Sequence, residues 1–230
     1  MEKLVVLTGA GMSAESGIKT FRDHNGLWEN YDVLDVASPE GWDRDPELVL
    51  RFYNQRRRQL KEVQPNPGHR ALVDLEQKFA VSIITQNVDD LHERAGSRQV
   101  LHLHGELRKV RSCSDPERIY EWEEDLHLGD CCSETGAQLR PHVVWFGEAV
   151  PMMELAVREI LQADRVLIVG TSMQVYPAAG LVGFAPQEAP VYYIDPRPSI
   201  NHELSQNRNL QTLETTAAIG IPELVRTWLD

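Results

Sequence analysis

The stretch Leu4-Val5-Val6-Leu7-Thr8-Gly9-Ala10-Gly11-Met12-Ser13-Ala14-Glu15-Ser16-Gly17 decides how the rest of the chain is read. A short apolar run rich in β-branched residues ends in two glycines one residue apart, and an Ala, Ser and Glu segment able to start a helix follows. The expectation is strand, tight turn, helix. Gly9, Gly11 and Ala14 fit the G-x-G-x-x-G/A spacing, in which missing side chains let a pyrophosphate approach backbone N–H groups at a helix start. Glycine-turn-helix junctions also serve packing alone, so the spacing by itself admits both readings. The pattern recurs at Arg165-Val166-Leu167-Ile168-Val169-Gly170-Thr171-Ser172. Two such junctions can clasp one dinucleotide from both sides.

Between these two turns, strand-like and helix-like segments alternate. Asp45-Pro46-Glu47 opens a helix expected to run to about Lys61, and a second helix after Pro67 carries Leu72, Leu75 and Phe79 on one side. Val81 to Thr85 reads as a buried strand ending in Gln86-Asn87-Val88-Asp89. Polar residues just past a strand's carboxyl end face the ligand crevice of a doubly wound sheet, although Asn87 and Asp89 equally suit capping of the next helix. His102 and His104 follow on another short strand. A histidine at a strand end before a glycine suits a general base, and two satisfied sheet histidines are the alternative. A helix over about 152–162, another starting at Pro177-Ala178-Ala179-Gly180, a strand over Val191 to Asp195 and a terminal helix over 222–229 complete the set. Alternating strands and helices imply an α/β fold, a Rossmann-like doubly wound parallel sheet covered on both faces. The acidic residue that a hydride-transferring dinucleotide fold places about 20 residues past its glycines has no counterpart here, because that region is a turn-rich loop.

Two stretches stand apart from this alternation. Gly17 to Trp28 is a candidate lid over a cofactor or a plain surface loop, with Arg22 its most informative residue. Arg108 to Arg140 holds all three cysteines and the acidic run Glu121, Glu123, Glu124 and Asp125, and reads as an inserted module. Cys113 stands alone and Cys131 and Cys132 are adjacent, which leaves free thiols or the remnant of a metal site. Bound zinc is not expected, since His127 completes no familiar ligand spacing. The division expected is a core over about 1–20, 63–107 and 141–230, with a smaller module over about 21–62 and 108–140. Arg56, Arg57 and Arg58 form a basic cluster read as a solvated helix face, with Tyr53 one turn before Arg56.

A chain of 230 residues with 42% hydrophobic and 25% charged residues can bury one sizeable core. The net charge of −12 argues against holding nucleic acid and favours a basic partner. No apolar run reaches the roughly 20 residues of a membrane span. With the first strand starting at residue 4, a leader peptide has no room, so a cytoplasmic location is expected. The chain is also expected to be a monomer.

Taken in order, GAGMSAESG at 9–17, TFR at 20–22, TQNVDDLH at 85–92, HG at 104–105, VVWFGE at 143–148 and GTSMQVYP at 170–177 make the chain resemble the sirtuin family, the NAD-dependent protein lysine deacylases. The resemblance implies NAD consumed as a co-substrate, with nicotinamide leaving and the acyl group ending on ADP-ribose, and it implies acylated-lysine proteins as partners. It makes His104 the general base and gives Asn87 and Asp89 the ordering of ribose and nicotinamide. It places Gly9, Ala10, Gly11, Ser13, Arg22, Gln86, Gly170, Thr171, Ser172, Asp195 and Ala218 along the dinucleotide. Val143, Val144, Phe146 and Gly147 would meet the substrate peptide. In the family's desuccinylase and demalonylase branch a Tyr-x-x-Arg pair holds the acyl carboxylate and a small residue widens the pocket, positions filled here by Tyr53, Arg56 and Ala37. The chain departs from the family in its broken zinc cysteine pairs, in Asp195 where Asn is common, and in Asp23 and His24 after Arg22. NAD-dependent ADP-ribosyl transfer to protein is the alternative activity.

Overall fold

The structure, a computed structural model, describes residues 1–19, the backbone of 27–28, and residues 31–229. In chain order the strands and helices are β1 (Glu2–Thr8), β2 (Leu27–Trp28), β3 (Tyr31–Asp32), α1 (Val33–Val36), α2 (Pro39–Arg44), α3 (Pro46–Glu62) and α4 (Pro67–Asp74). They continue with β4 (Phe79–Thr85), α5 (Leu91–Ala95), β5 (Val100–His102), β6 (Gly105–Ser112), β7 (Ile119–Glu121) and β8 (Leu139–Val143). The carboxyl-terminal part holds α6 (Met153–Ile160), β9 (Arg165–Val169), β10 (Val191–Ile194), α7 (His202–Ser205), β11 (Leu210–Leu213) and α8 (Ala217–Leu229).

Six strands form one parallel sheet in the order β11-β10-β9-β1-β4-β5. Counted by chain position within that sheet, the order runs outward in both directions from the first strand, which is the doubly wound Rossmann arrangement. The continuous apolar run of β1 has a direct cause. Leu4 and Val6 point to one face, where they meet Leu72 of α4, Leu75 just past it and Trp228 of α8. Val5 and Leu7 point to the other, against Ile160 of α6 and Leu181. With both faces covered, no polar alternation is tolerated. Each such side chain removed from water contributes about 1.5–3 kcal/mol.

A separate antiparallel sheet, β7-β6-β8, packs beside α3. Asp45 Oδ1 accepts from Leu48 N at 2.9 Å and Pro46 occupies the first turn of α3, as the sequence suggests. Cys132, Leu50, Val110, Leu126 and Leu139 form a small core within this region, which therefore has an apolar centre that its sequence period does not reveal.

Four local expectations are corrected, the first being Phe79, which opens β4 and does not lie on the second helix, since α4 ends at Asp74. The segment after the first glycine turn is two short 3₁₀ turns, Ala10–Met12 and Ala14–Ser16, not an α-helix. Gly17 closes it in the left-handed region at φ 100°. The segment after Pro177 is likewise 3₁₀, over Ala178–Phe184. The terminal helix begins at Ala217, five residues before Pro222, so that proline lies inside the helix and does not open it.

Candidate active site

The carboxyl ends of β1, β4 and β9 meet where the strand order reverses. Here the two glycine turns lock together. Gly9 N donates to Val169 O at 3.1 Å and Gly11 N donates to Gly170 O at 2.8 Å. A Cβ on Gly11 would lie 2.7 Å from Gly170 Cα, and one on Gly9 would lie 2.7 Å from Thr171 Cβ. The glycines thus serve turn-on-turn packing, one of the two readings their spacing allowed. Gly170 adds a backbone at φ 59°, where only glycine is unstrained.

Around this junction lies a buried polar network. Gln86 N donates to Thr8 O, which continues the β1–β4 pairing past the strand, and Gln86 Nε2 donates to Thr171 Oγ1 at 3.0 Å. Asn87 Nδ2 donates to Ser13 Oγ at 3.2 Å, and Ser13 Oγ donates to Asp89 Oδ2 at 2.9 Å. Asp89 Oδ1 also accepts from Leu91 N at 3.2 Å, so the residue is bonded to the first residue of α5 and faces the network at once. Burial pushes the Asp89 carboxyl up to about 6, opposed by its bonds to Ser13 and Leu91.

His104 stands beside this network. Its Nδ1 lies 3.0 Å from Gln86 O. A carbonyl can only accept, so Nδ1 carries the hydrogen and the Nε2 lone pair is left for a proton. Burial lowers its pKa, which keeps the ring neutral at pH 7. His102, two residues earlier, is instead tied on both sides, by Asn87 O at 2.9 Å and Glu93 Oε1 at 2.8 Å. The strand-end pair therefore splits into one fixed and one available imidazole.

The remaining predicted positions are spread along the same edge. Ser172 follows Thr171, whose carbonyl accepts from Tyr193 Oη at 2.6 Å. Asp195 is buried just past β10 and its Oδ1 accepts from Arg197 N at 2.8 Å. Ala218 N donates to Glu15 Oε2 at 2.8 Å, a contact that ties the first turn of α8 to the opening motif. Arg22, with Asp23 and His24, lies outside the described residues.

A pocket beside the network is lined by Tyr53, Arg56, Lys19 and Asp89, with the apolar side chains Ile18 and Leu60 among the rest. Tyr53 is 1% exposed, and its Oη accepts from Trp145 Nε1 at 3.0 Å. Burial raises its pKa, so the phenol stays protonated. The Arg56 guanidinium lies 4.7 Å over the Phe52 ring. Ala37 and Val143 are in the same apolar cluster as Tyr53. Val144 N donates to His104 O and Phe146 N to Ala37 O, both at 2.9 Å, which brings the 143–147 segment against the two predicted sites. Phe146 and Gly147 are exposed, and Gly147 takes φ 90°.

One expectation fails clearly. Arg57 is not on a solvated face: it is 1% exposed, with Nε donating to Leu107 O at 3.1 Å and Nη1 to Asn54 Oδ1 at 2.7 Å. Desolvation lowers its pKa to about 10, which still leaves it charged at pH 7. Its spacing from Tyr53 and Leu60, four and three residues, was the available signal. Arg58 does lie outward and pairs with Asp125, Nε to Oδ1 at 2.9 Å. The sequence also passed over Glu148, whose carboxylate accepts from Arg111 and Arg140 and from Trp145 N, fixing the turn at 145–148. Asn66 was passed over as well: its Nδ2 donates to Met12 O at 2.8 Å and Ser16 Oγ at 3.1 Å, holding both 3₁₀ turns. Among the described residues no group of three or more His, Cys, Asp or Glu is placed to hold a metal ion. No described helix is long and apolar enough to cross a membrane.

Similarity to known proteins decides the family. The Sir2 family model matches residues 9–177, a span that begins at the first glycine turn and includes the second. The chain belongs to the Sir2 family. Sir2 relatives include an NAD-dependent protein deacylase of Helicobacter pylori, 56% identical over 225 residues that cover 98% of this chain and 96% of the relative. One of the same name from Bacteroides thetaiotaomicron is 54% identical over 230 residues, covering 97% of each chain. Among solved structures, a Sir2 homologue in complex with NAD superposes with a TM-score of 0.88 at 42% identity, over 98% of this chain and 88% of that one.

Proposed function

We propose that this Sir2-family chain is an NAD-dependent protein-lysine deacylase that removes acetyl and succinyl or malonyl groups, with nicotinamide and O-acyl-ADP-ribose as products. The observation that carries the reading is the neutral His104, its Nδ1–H committed to the Gln86 carbonyl and its Nε2 free to take a proton, beside the Asn87–Ser13–Asp89 network. The NAD-dependent relatives support it.

The residues fit the dinucleotide chemically. Amide and hydroxyl groups of Gln86, Asn87, Ser13, Thr171 and Ser172 suit a polyhydroxyl ribose, and the Asp89 carboxylate, ionised above about pH 6, suits a cationic ring. NAD supplies a positively charged nicotinamide that is already a good leaving group. The chain's task is then to orient and to remove one proton. In this reading Gln86, Asn87 and Asp89 hold the ribose and nicotinamide. Gly9, Ala10, Gly11 and Gly170 flank the diphosphate path, Asp195 and Ala218 lie at the adenosine end, and Arg22 belongs to the cofactor loop. His104 Nε2 accepts the proton of a ribose hydroxyl. Val143, Val144, Phe146 and Gly147 receive the substrate peptide, Tyr53 and Arg56 bind the acyl carboxylate, and Ala37 leaves room for it. Arginine suits that role because its planar fork matches a carboxylate and stays charged when partly buried.

Mass spectrometry of one incubation with NAD and a succinyl-lysine peptide tests this. Unmodified peptide together with O-succinyl-ADP-ribose is the expected result; an ADP-ribosylated peptide would sink the deacylase reading.

A further inference from the structure

We propose that Lys19 is a second cation of the acyl pocket, which shares the terminal carboxylate of an acidic acyl chain with Arg56 and so sets specificity for such chains. This rests on the deacylase reading above. Ile18 N donates to Ser13 O at 3.3 Å, and Gln59 Nε2 donates to Gly17 O at 3.1 Å. Gln59 lies one turn beyond Arg56 on α3, so its amide fastens the 17–19 segment to the helix face that carries Arg56. Lys19 and Arg56 then line one pocket with Tyr53 and with the apolar side chains Ile18, Leu60 and Val88.

The chemistry of that lining is selective. An apolar wall accepts methylenes, and two cations with a protonated phenol, set against the single carboxyl of Asp89, keep the lining net positive and suit a terminal carboxylate. A neutral acetyl group gains nothing from the second cation. The two cations also differ in kind: Arg56 offers a flat fork, whereas Lys19 offers a mobile point charge that can follow a chain end of varying length. Lys19 should therefore matter more as the acyl chain lengthens. Because the lysine is exposed, its attraction is partly screened, and an effect of about fivefold is expected.

The test uses the whole chain with Lys19→Met and Lys19→Arg, and acetyl-, succinyl- and glutaryl-lysine peptides of one sequence. Peptide binding is followed by calorimetry and turnover with NAD by mass spectrometry. Lys19→Met should weaken succinyl and glutaryl binding and kcat/KM about fivefold, glutaryl at least as much as succinyl, with acetyl unchanged within about twofold. Lys19→Arg should restore most of the loss. Equal losses on all three peptides, or none on the acidic two, overturn the role of Lys19. A wild-type chain that binds these peptides without deacylating any of them defeats the deacylase reading instead, and the binding ratios still decide Lys19.

Discussion

His104 and Arg56 carry opposite kinds of expectation. His104→Ala is expected to lower kcat by at least about 100-fold while NAD still protects the chain against thermal unfolding, since the substitution removes a proton acceptor and leaves the binding wall in place. Retained turnover would show that another group takes the proton. Arg56→Met should cut desuccinylation far more than deacetylation, measured as the ratio of the two kcat/KM values; parallel losses would reject a carboxylate clamp. Arg57, its neighbour, belongs to stability. Arg57→Ala removes donors from Leu107 O and Asn54 Oδ1 and opens a void beneath α3, so a loss of about 3 kcal/mol is expected in urea titrations. Three consecutive arginines thus have three fates, one in the pocket, one in the core and one at the surface. Composition cannot separate them, whereas the helical phase relative to Tyr53 and Leu60 can.

The α4–α5 layer holds two fully buried histidines, His69 and His92, with rings 4.9 Å apart. Burial lowers His69 to about 4 and His92 well below its ordinary value. As pH falls below about 6.5 the unfolded chain takes up protons that the folded chain refuses, so stability present above pH 6.5 is lost on the way down to about pH 4. Asp89 works the other way, because its folded pKa of about 6 lies above the usual carboxylate value and the folded state binds its proton first. Four histidines with lowered values, His69 and His92 with His104 and His142, against Asp89 and the raised His102 predict net loss on acidification from pH 6.5 to 5. Urea midpoints across that range check the sign, and His69→Gln should flatten the slope. Element type was legible where local chemistry decides it, as in the Asp45-Pro46 start of α3. It was misread after Gly9 and at Pro222, where packing overrides the local signal: contact with the 170–171 turn leaves the opening segment as 3₁₀, and α8 starts early against α4 and β10.

Both glycine turns and the small antiparallel sheet act on the molecule as a whole. Gly170→Ala would strain a left-handed backbone and drive a Cβ into Met12 N, so a loss of about 2 kcal/mol or more is expected, together with weaker NAD protection in thermal melts. The β7-β6-β8 region, centred on Leu50, Val110, Leu126 and Leu139, should melt at the same temperature with and without a strong chelator. A chelator-induced drop of several degrees would reveal a metal in its fold. The sequence by itself determined the parallel α/β sheet, because continuous apolar strands ending in glycine or polar residues have few other ways to bury both faces. It also determined the order of the family motifs, which are local strings. Only the tertiary structure decided which of those residues meet. Ser13 reaches Asp89 across 76 positions and Trp145 reaches Tyr53 across 92. Such pairings depend on how strands stack and turns abut, and a one-dimensional pattern records neither distance nor burial.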